Sequence, residues 1–149
     1  MDQPVRYKRF ETRCFESCVS LLIEVFNGPP WNDKWTQERA TCWLMSLTSG
    51  NDFRGFCGFD GNCMIAAVLG RMKMWWRGEE YYIEEMFVRA SVQGKGIGSR
   101  LLDYVESELK KEMVQAITLA TNSDMPAREF YAKNGFHPVD DLVFMKKKL

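Results

Sequence analysis

Three glycines, at positions 94, 96 and 98, stand between a run rich in aromatic and branched residues, Glu80 to Val88, and a stretch where Ile97, Leu101, Leu102, Val105 and Leu109 recur at helical spacing. A strand must therefore enter a turn that lacks side chains and leave it as a helix. Bare glycines let backbone N–H groups point at a ligand, and the positive end of the helix dipole favours a negative one. The turn reads as an anion seat suited to phosphate, with Lys95 or Arg100 placed to add charge.

Two common phosphate loops do not account for it. The G-x-x-x-x-G-K-[ST] loop needs a hydroxyl after its lysine, whereas Lys95 is followed by Gly96. The dinucleotide fingerprint G-x-G-x-x-G needs a glycine where Ser99 stands, and the preceding strands read as a meander rather than as the start of a parallel unit.

The rest of the chain supplies elements in a definite order. Val5 to Glu11 reads as a strand, with Thr12 capping a helix that carries Phe15, Cys18, Val19, Leu22 and Phe26 and stops at Asn27-Gly28-Pro29-Pro30. Thr36 caps a second helix with Ala40, Trp43, Leu44 and Leu47 on one face, ended by Ser49-Gly50-Asn51-Asp52. Phe53 to Phe59, Cys63 to Trp76 and Glu80 to Val88 make a three-stranded antiparallel meander. After the third helix come a strand at Val114 to Ala120, a short helix opened by Pro126 and closed by Asn134-Gly135, and a last strand or two at Phe136 and Leu142 to Met145. No repeat or linker divides the 149 residues, so the expectation is one domain, 1–149, of α+β or mixed α/β class.

Composition narrows the chemistry. The 20 Lys plus Arg balance 20 Asp plus Glu, which argues against an extended nucleic-acid surface. His137 is the sole histidine, so a multi-histidine metal site is excluded and none is expected of another kind. The five cysteines include no C-x-x-C pair and read as reduced core thiols. Met1 to Phe10 is polar, and no apolar run approaches the roughly 18 residues of a membrane span. A cytoplasmic protein with no membrane partner is expected, and Lys146-Lys147-Lys148 reads as a solvated end.

Gln93, Gly96 and Gly98 match the pattern Q/R-x-x-G-x-G/A, and Ala127, Phe130, Tyr131, Gly135 and Phe136 match A-x-x-F-Y-x-x-x-G-F. In that order, with these elements around them, the two motifs make the chain resemble the GNAT N-acetyltransferase superfamily. The resemblance implies a central twisted, mostly antiparallel sheet with a splayed parallel fourth and fifth strand and about four flanking helices. It also implies acetyl-CoA as co-substrate. The pantetheine arm would lie along Met86, Phe87 and Val88, and the pyrophosphate on Gln93, Gly94, Lys95, Gly96, Ile97, Gly98 and Ser99. Ala127 and Tyr131 would flank the cofactor. Where the family often carries an asparagine, the ungapped match is Asp124, with Asn122 two residues earlier. Asp124 is equally readable as a helix cap.

The implied reaction is direct acetyl transfer to a primary amine in a ternary complex. An amine of pKa about 10 must lose a proton, and Glu84 is the candidate base. Alternation places Tyr82, Glu84, Met86 and Val88 on one face and Glu85 and Phe87 on the other. Tyr131 matches the family tyrosine that protonates the leaving thiolate. Trp31, Asp33, Trp35 and Glu85 would wall the acceptor, a combination of aromatic faces and carboxylates suited to a small cationic amine of aminoglycoside or polyamine type. Three other uses stay open: a protein or peptide amine as acceptor, a CoA-binding module without turnover, and a homodimer surface for some of the aromatics, since adjacent Trp75 and Trp76 cannot both face the core.

Overall fold

The computed structural model describes residues 3–149. β1 (Arg6–Arg9) leads through a 3-10 turn at Thr12–Cys14 into α1 (Phe15–Phe26), followed by α2 (Gln37–Thr48), β2 (Phe53–Asp60), β3 (Cys63–Trp75) and β4 (Gly78–Val88). A second 3-10 turn, Ala90–Val92, precedes α3 (Ile97–Lys111), β5 (Ala116–Leu119) and α4 (Pro126–Lys133). The five strands form one sheet in the order β1-β2-β3-β4-β5, antiparallel except for the parallel pair β4/β5. This is the expected mixed α/β architecture, with its helices on both faces of the sheet.

The apolar stripes explain the layers. Cys18, Val19, Leu21, Leu22 and Val25 of α1 and Ala40, Leu44 and Leu47 of α2 pack on one face against Cys57, Ala67, Leu69 and Phe87. Ile97, Leu101, Leu102, Val105 and Leu109 of α3 cover the other face, over Phe56, Ile65, Val68, Tyr81 and Ile83. Thr36 caps α2 as expected, its hydroxyl accepting the Arg39 N–H at 3.1 Å. Thr12 does not cap α1: it opens the 3-10 turn, and α1 begins with Cys14 at its N-cap, where no side chain bonds the helix.

Three expectations are corrected. First, no strand forms after α4: residues 137–149 are exposed throughout and pair with no strand among the described residues. Second, a register shift between Leu69 and Gly70 of β3 leaves Glu84 without a partner, because Leu69 faces Glu85 and Gly70 faces Ile83. The bulge resets the alternation. Tyr81 and Ile83 therefore share the α3 side with Met86 and Val88, and the expected grouping of Tyr82 with Met86 and Val88 does not hold. Third, the thiols are not all in the core: Cys14, Cys18 and Cys57 are buried, but Cys42 and Cys63 are exposed.

Candidate active site

The parallel pair is short. Its register runs from Glu80 opposite Ala116 to Ile83 opposite Leu119 and stops there. From Glu84 to Val88, β4 continues with β3 on one side and, among the described residues, no strand on the other. Backbone N–H and C=O groups on that open side are available to an extended ligand, as they would be on any sheet edge. Splaying at Glu84 opens a cleft of about 380 Å³ lined by Phe26, Trp31, Glu84, Glu85, Met86, Ala120, Thr121, Asn122, Ala127, Tyr131 and Phe144. Seven residues expected from sequence thus meet in one space: Trp31, Glu84, Glu85, Met86, Asn122, Ala127 and Tyr131.

The two carboxylates in the cleft are not equivalent. Glu84 occupies the bulge, while Glu85 turns toward α2 and accepts a hydrogen bond from the Trp43 indole Nε1 at 3.1 Å. Burial raises the Glu85 carboxyl to about 7, and the charges of Glu84 and Asp33 push the same way against the opposing Trp43 hydrogen bond. A carboxylate that titrates near neutrality is matched to taking a proton at physiological pH. Across the cleft, Tyr131 is held by ring contacts with Phe130 and Phe136, whose centroids lie 5.3 and 5.4 Å away. Desolvation first, and the Glu85 charge second, push its hydroxyl up to about 12, so it stays a proton donor throughout the neutral range.

The glycine turn lies at the end of β4. Gly94 and Gly96 have φ of 75° and 76°, a region that side-chain-bearing residues rarely adopt, and Gly96 is the N-cap of α3. Gly96 has no side chain to cap that helix and its first turn holds no acidic residue, so the N–H groups of Ile97, Gly98 and Ser99 have no intrahelical partners. Gln93 braces the turn by donating from Nε2 to the Val88 carbonyl at 2.8 Å. Arg100 donates to the Lys95 carbonyl at 3.2 Å. Gly98 must be small for a different reason: a Cβ there would lie 3.0 Å from Phe130 Cζ, so the turn and α4 touch at this residue.

Other expected residues fall beside the cleft. Asp33 and Trp35 line a neighbouring cavity of about 620 Å³ with Lys34, Arg39, Cys42 and Trp43. Trp43 joins the two spaces, because it walls this cavity while bonding Glu85. Asn27 fixes the loop between α1 and α2: its Nδ2 donates to the Trp35 carbonyl at 2.9 Å and its Oδ1 accepts the Trp35 N–H at 2.8 Å. The Phe87 ring is buried against Phe26 on the α1 side, and the residue does not line the cleft. Asp124 does not cap α4, whose N-cap is Met125; its carboxylate accepts from the Ser123 hydroxyl at 3.2 Å instead. Asn122, not Asp124, lines the cleft. Trp43, Phe26 and Phe144 were not legible as site residues, since helical spacing explains the first two as packing and Phe144 reads as a strand residue.

Comparisons with known proteins agree with this geometry. A profile of the acetyltransferase (GNAT) family matches residues 14–136. No curated protein is significantly similar in sequence. Among solved structures, aminoglycoside acetyltransferase AAC(6')-Iy bound to the bisubstrate analogue CoA-S-monomethyl-acetylneamine superposes with a TM-score of 0.79 at 12% identity, covering 99% of this chain and 100% of that one. An aminoglycoside acetyltransferase from an uncultured soil metagenomic sample, in complex with sisomicin, gives a TM-score of 0.77 at 16% identity over 97% of this chain and 96% of that one. A GNAT family acetyltransferase from Staphylococcus aureus subsp. aureus USA300_TCH1516 gives 0.75 at 19% identity over 99% and 100%. These likenesses show the shared fold, and the profile match over most of the sequence shows that the chain belongs to the acetyltransferase (GNAT) family.

Proposed function

We propose that this acetyltransferase moves an acetyl group from acetyl-CoA to the primary amine of a small cationic acceptor, in the cytoplasm and by direct attack within a ternary complex. The observation that carries this reading is the cleft beside the free edge of β4 that Glu85 and Tyr131 line together, with the glycine turn following that strand. Pantetheine suits the β4 edge from Glu84 to Val88, pyrophosphate suits the N–H groups of Ile97 to Ser99 that lack intrahelical partners, and Asn122 and Ala127 flank the arm. No metal is required by these steps.

In the reaction the amine nitrogen attacks the thioester carbonyl, a C–N bond forms, and the C–S bond breaks as the tetrahedral intermediate collapses. The amine proton passes to Glu85, directly or through a water. Glu85 is favoured over Glu84 as the base because it is held by Trp43 and titrates near neutrality. Glu84 adds negative charge at the bulge and attracts the ammonium form of the acceptor. Tyr131 then gives its proton to the departing thiolate. The two steps are coupled: the Glu85 charge helps hold the Tyr131 proton, so once Glu85 is protonated Tyr131 becomes the stronger acid.

Trp31, Asp33 and Trp35 supply aromatic faces and a carboxylate for the rest of the acceptor, and the aminoglycoside complexes among the structural neighbours favour an acceptor with several amines. Thiol release from acetyl-CoA, measured over aminoglycosides, polyamines, amino acids and lysine peptides, tests the reading. Turnover concentrated in polyamine or aminoglycoside acceptors is expected. Turnover confined to peptides would move the acceptor class, and CoA binding without turnover on any of them would leave a binding module.

A further inference from the structure

At one end of the sheet β3 and β4 outrun their neighbours. β2 leaves β3 at the Phe53–Arg71 pair and β5 joins β4 only from the Glu80–Ala116 pair, so residues 72–79 form a two-stranded ribbon closed by the Trp76-Arg77 turn. Met74, Trp75 and Trp76 on this ribbon are 82%, 45% and 77% exposed. The turn from α3 to β5 stands beside it, because the Gln115 N–H reaches the Glu79 carbonyl at 2.9 Å, and it adds Met113 at 79% exposure. Cations accompany the rings: Lys73 Nζ lies 3.9 Å from the Trp75 ring centroid, and Arg77 Cζ lies 4.6 Å from that of Trp76. Neither cation forms an ion pair among the described residues, although Glu80 and Glu79 stand opposite Lys73 and Met74 in the register. Lys110 and Lys111 end α3 at the same pole, where Glu108 and Glu112 are already held by Arg9, Arg54 and Lys111.

We propose that this hairpin docks the protein on an anionic lipid bilayer, with Met74, Trp75 and Trp76 in the interface and Lys73 and Arg77 among the headgroups. Tryptophan rings favour the boundary between acyl chains and headgroups, and a cation lying over such a ring reaches lipid phosphate while the ring is submerged. The tip is convex and offers on the order of 500 Å² of apolar surface, less than the roughly 800 Å² per partner of a stable protein interface. A fluid bilayer accepts such a knob without a matching groove. A second copy meeting tip to tip would set Lys73 and Arg77 against the same two cations. An extended nucleic acid calls for more cations than a chain of 20 Lys plus Arg against 20 Asp plus Glu gathers here. The sequence expectation of no membrane partner concerned spanning segments, and no described helix is long and apolar enough to cross a membrane; contact at the surface needs none. The glycine turn follows the other end of β4, roughly 30 Å away at the usual strand rise, so docking leaves the cleft uncovered.

Flotation of the full chain with phosphatidylcholine vesicles, with and without phosphatidylserine, tests the docking without using acetyl transfer. The expected result is flotation with the anionic vesicles, about tenfold weaker with neutral ones and at high salt. Brominated acyl chains in the anionic vesicles should quench tryptophan fluorescence. Trp76→Ser and Arg77→Gln should each weaken anionic-vesicle binding by about fivefold or more, with far-UV circular dichroism and thermal midpoint unchanged. Lys147→Gln, in the other cationic run, should not. Absence of flotation with anionic vesicles would overturn the docking, as would equal flotation with neutral ones. Flotation that survives both tip substitutions would place the contact on another face. Tip-dependent binding of a single-stranded oligonucleotide in place of vesicles would also overturn it.

Discussion

Gly98, two residues into the glycine turn's helix, lies under the ring of Phe130 in α4: a Cβ at position 98 would stand 3.0 Å from Phe130 Cζ, 3.1 Å from Cε2 and 3.5 Å from Met86 Cε. The two motifs therefore meet at one packing contact, which ties the glycine turn, the proposed pyrophosphate seat, to the helix carrying Tyr131. Gly98→Val should push these elements apart at a cost of about 1–3 kcal/mol, the usual range for overpacking. The expected result is a rise of about tenfold or more in the Kd for CoA, measured by calorimetry, with a lower thermal midpoint. Unchanged CoA affinity would show that the contact does not set the loop.

In the proposed reaction Tyr131 protonates the leaving thiolate. Tyr131→Phe keeps the ring contacts with Phe130 and Phe136 and removes the hydroxyl alone. A fall of about 10²–10⁴ in kcat, with KM for acetyl-CoA nearly unchanged, is expected in steady-state assays. A larger effect on KM than on kcat would reassign the hydroxyl to binding.

Glu85 makes both rate and stability depend on pH. As the proposed base it must be ionised, so kcat/KM should rise with pH and bend near its raised value of about 7. Glu85→Gln should remove that bend and most of the activity, whereas Glu84→Gln should keep the bend. Folding responds in the opposite sense. The folded-state value lies above the ordinary 4.5, so Glu85 contributes most stability below that pH and loses it as pH rises through about 7. At pH 8, Glu85→Gln should therefore melt higher than the parent, by roughly 1–2 kcal/mol of stability. Calorimetric scans across pH check the sign.

Trp43 donates to the ionised form of Glu85, and that hydrogen bond lowers the carboxyl against the larger effect of burial. Trp43→Phe removes the donor while keeping an aromatic side chain between the two cavities. The bend in kcat/KM should move to higher pH, with a smaller change in the alkaline plateau. A uniform loss of rate at every pH, with the bend in place, would mean that Trp43 only packs.

The legible parts of the site were those fixed by residue identity. Gly96 and Gly98 are demanded by a positive φ and by the close approach of Phe130, whereas Phe130 and Tyr131 are legible only through their resemblance to the family's A-x-x-F-Y-x-x-x-G-F segment. The three-stranded meander was equally plain, because turn residues punctuate it at Asp60-Gly61-Asn62 and Arg77-Gly78-Glu79. The order of the two glutamates was not. A bulge shifts the alternation by one residue at Gly70 of β3, where a side chain would collide with the Tyr82 carbonyl; that glycine was its mark, but it lies on the neighbouring strand, and β4 itself carries no sign of the shift. Trp43 was hidden by the α2 pattern, since helical spacing gives the face of a side chain but not the reach of an indole N–H across to β4. The segment at Leu142 to Met145 has strand composition yet pairs with no strand among the described residues, because propensity alone does not bring a segment to an edge.

Acetyl transfer in the β4/β5 opening is tested most directly by stopped-flow release of free thiol from acetyl-CoA with a polyamine or aminoglycoside acceptor, comparing the parent chain with Glu85→Gln and Tyr131→Phe. The expected result is one thiol released per acetylated amine, with both variants binding CoA normally and turning over at least about tenfold more slowly. Saturable CoA binding by all three proteins, with equal or absent thiol release, would contradict it.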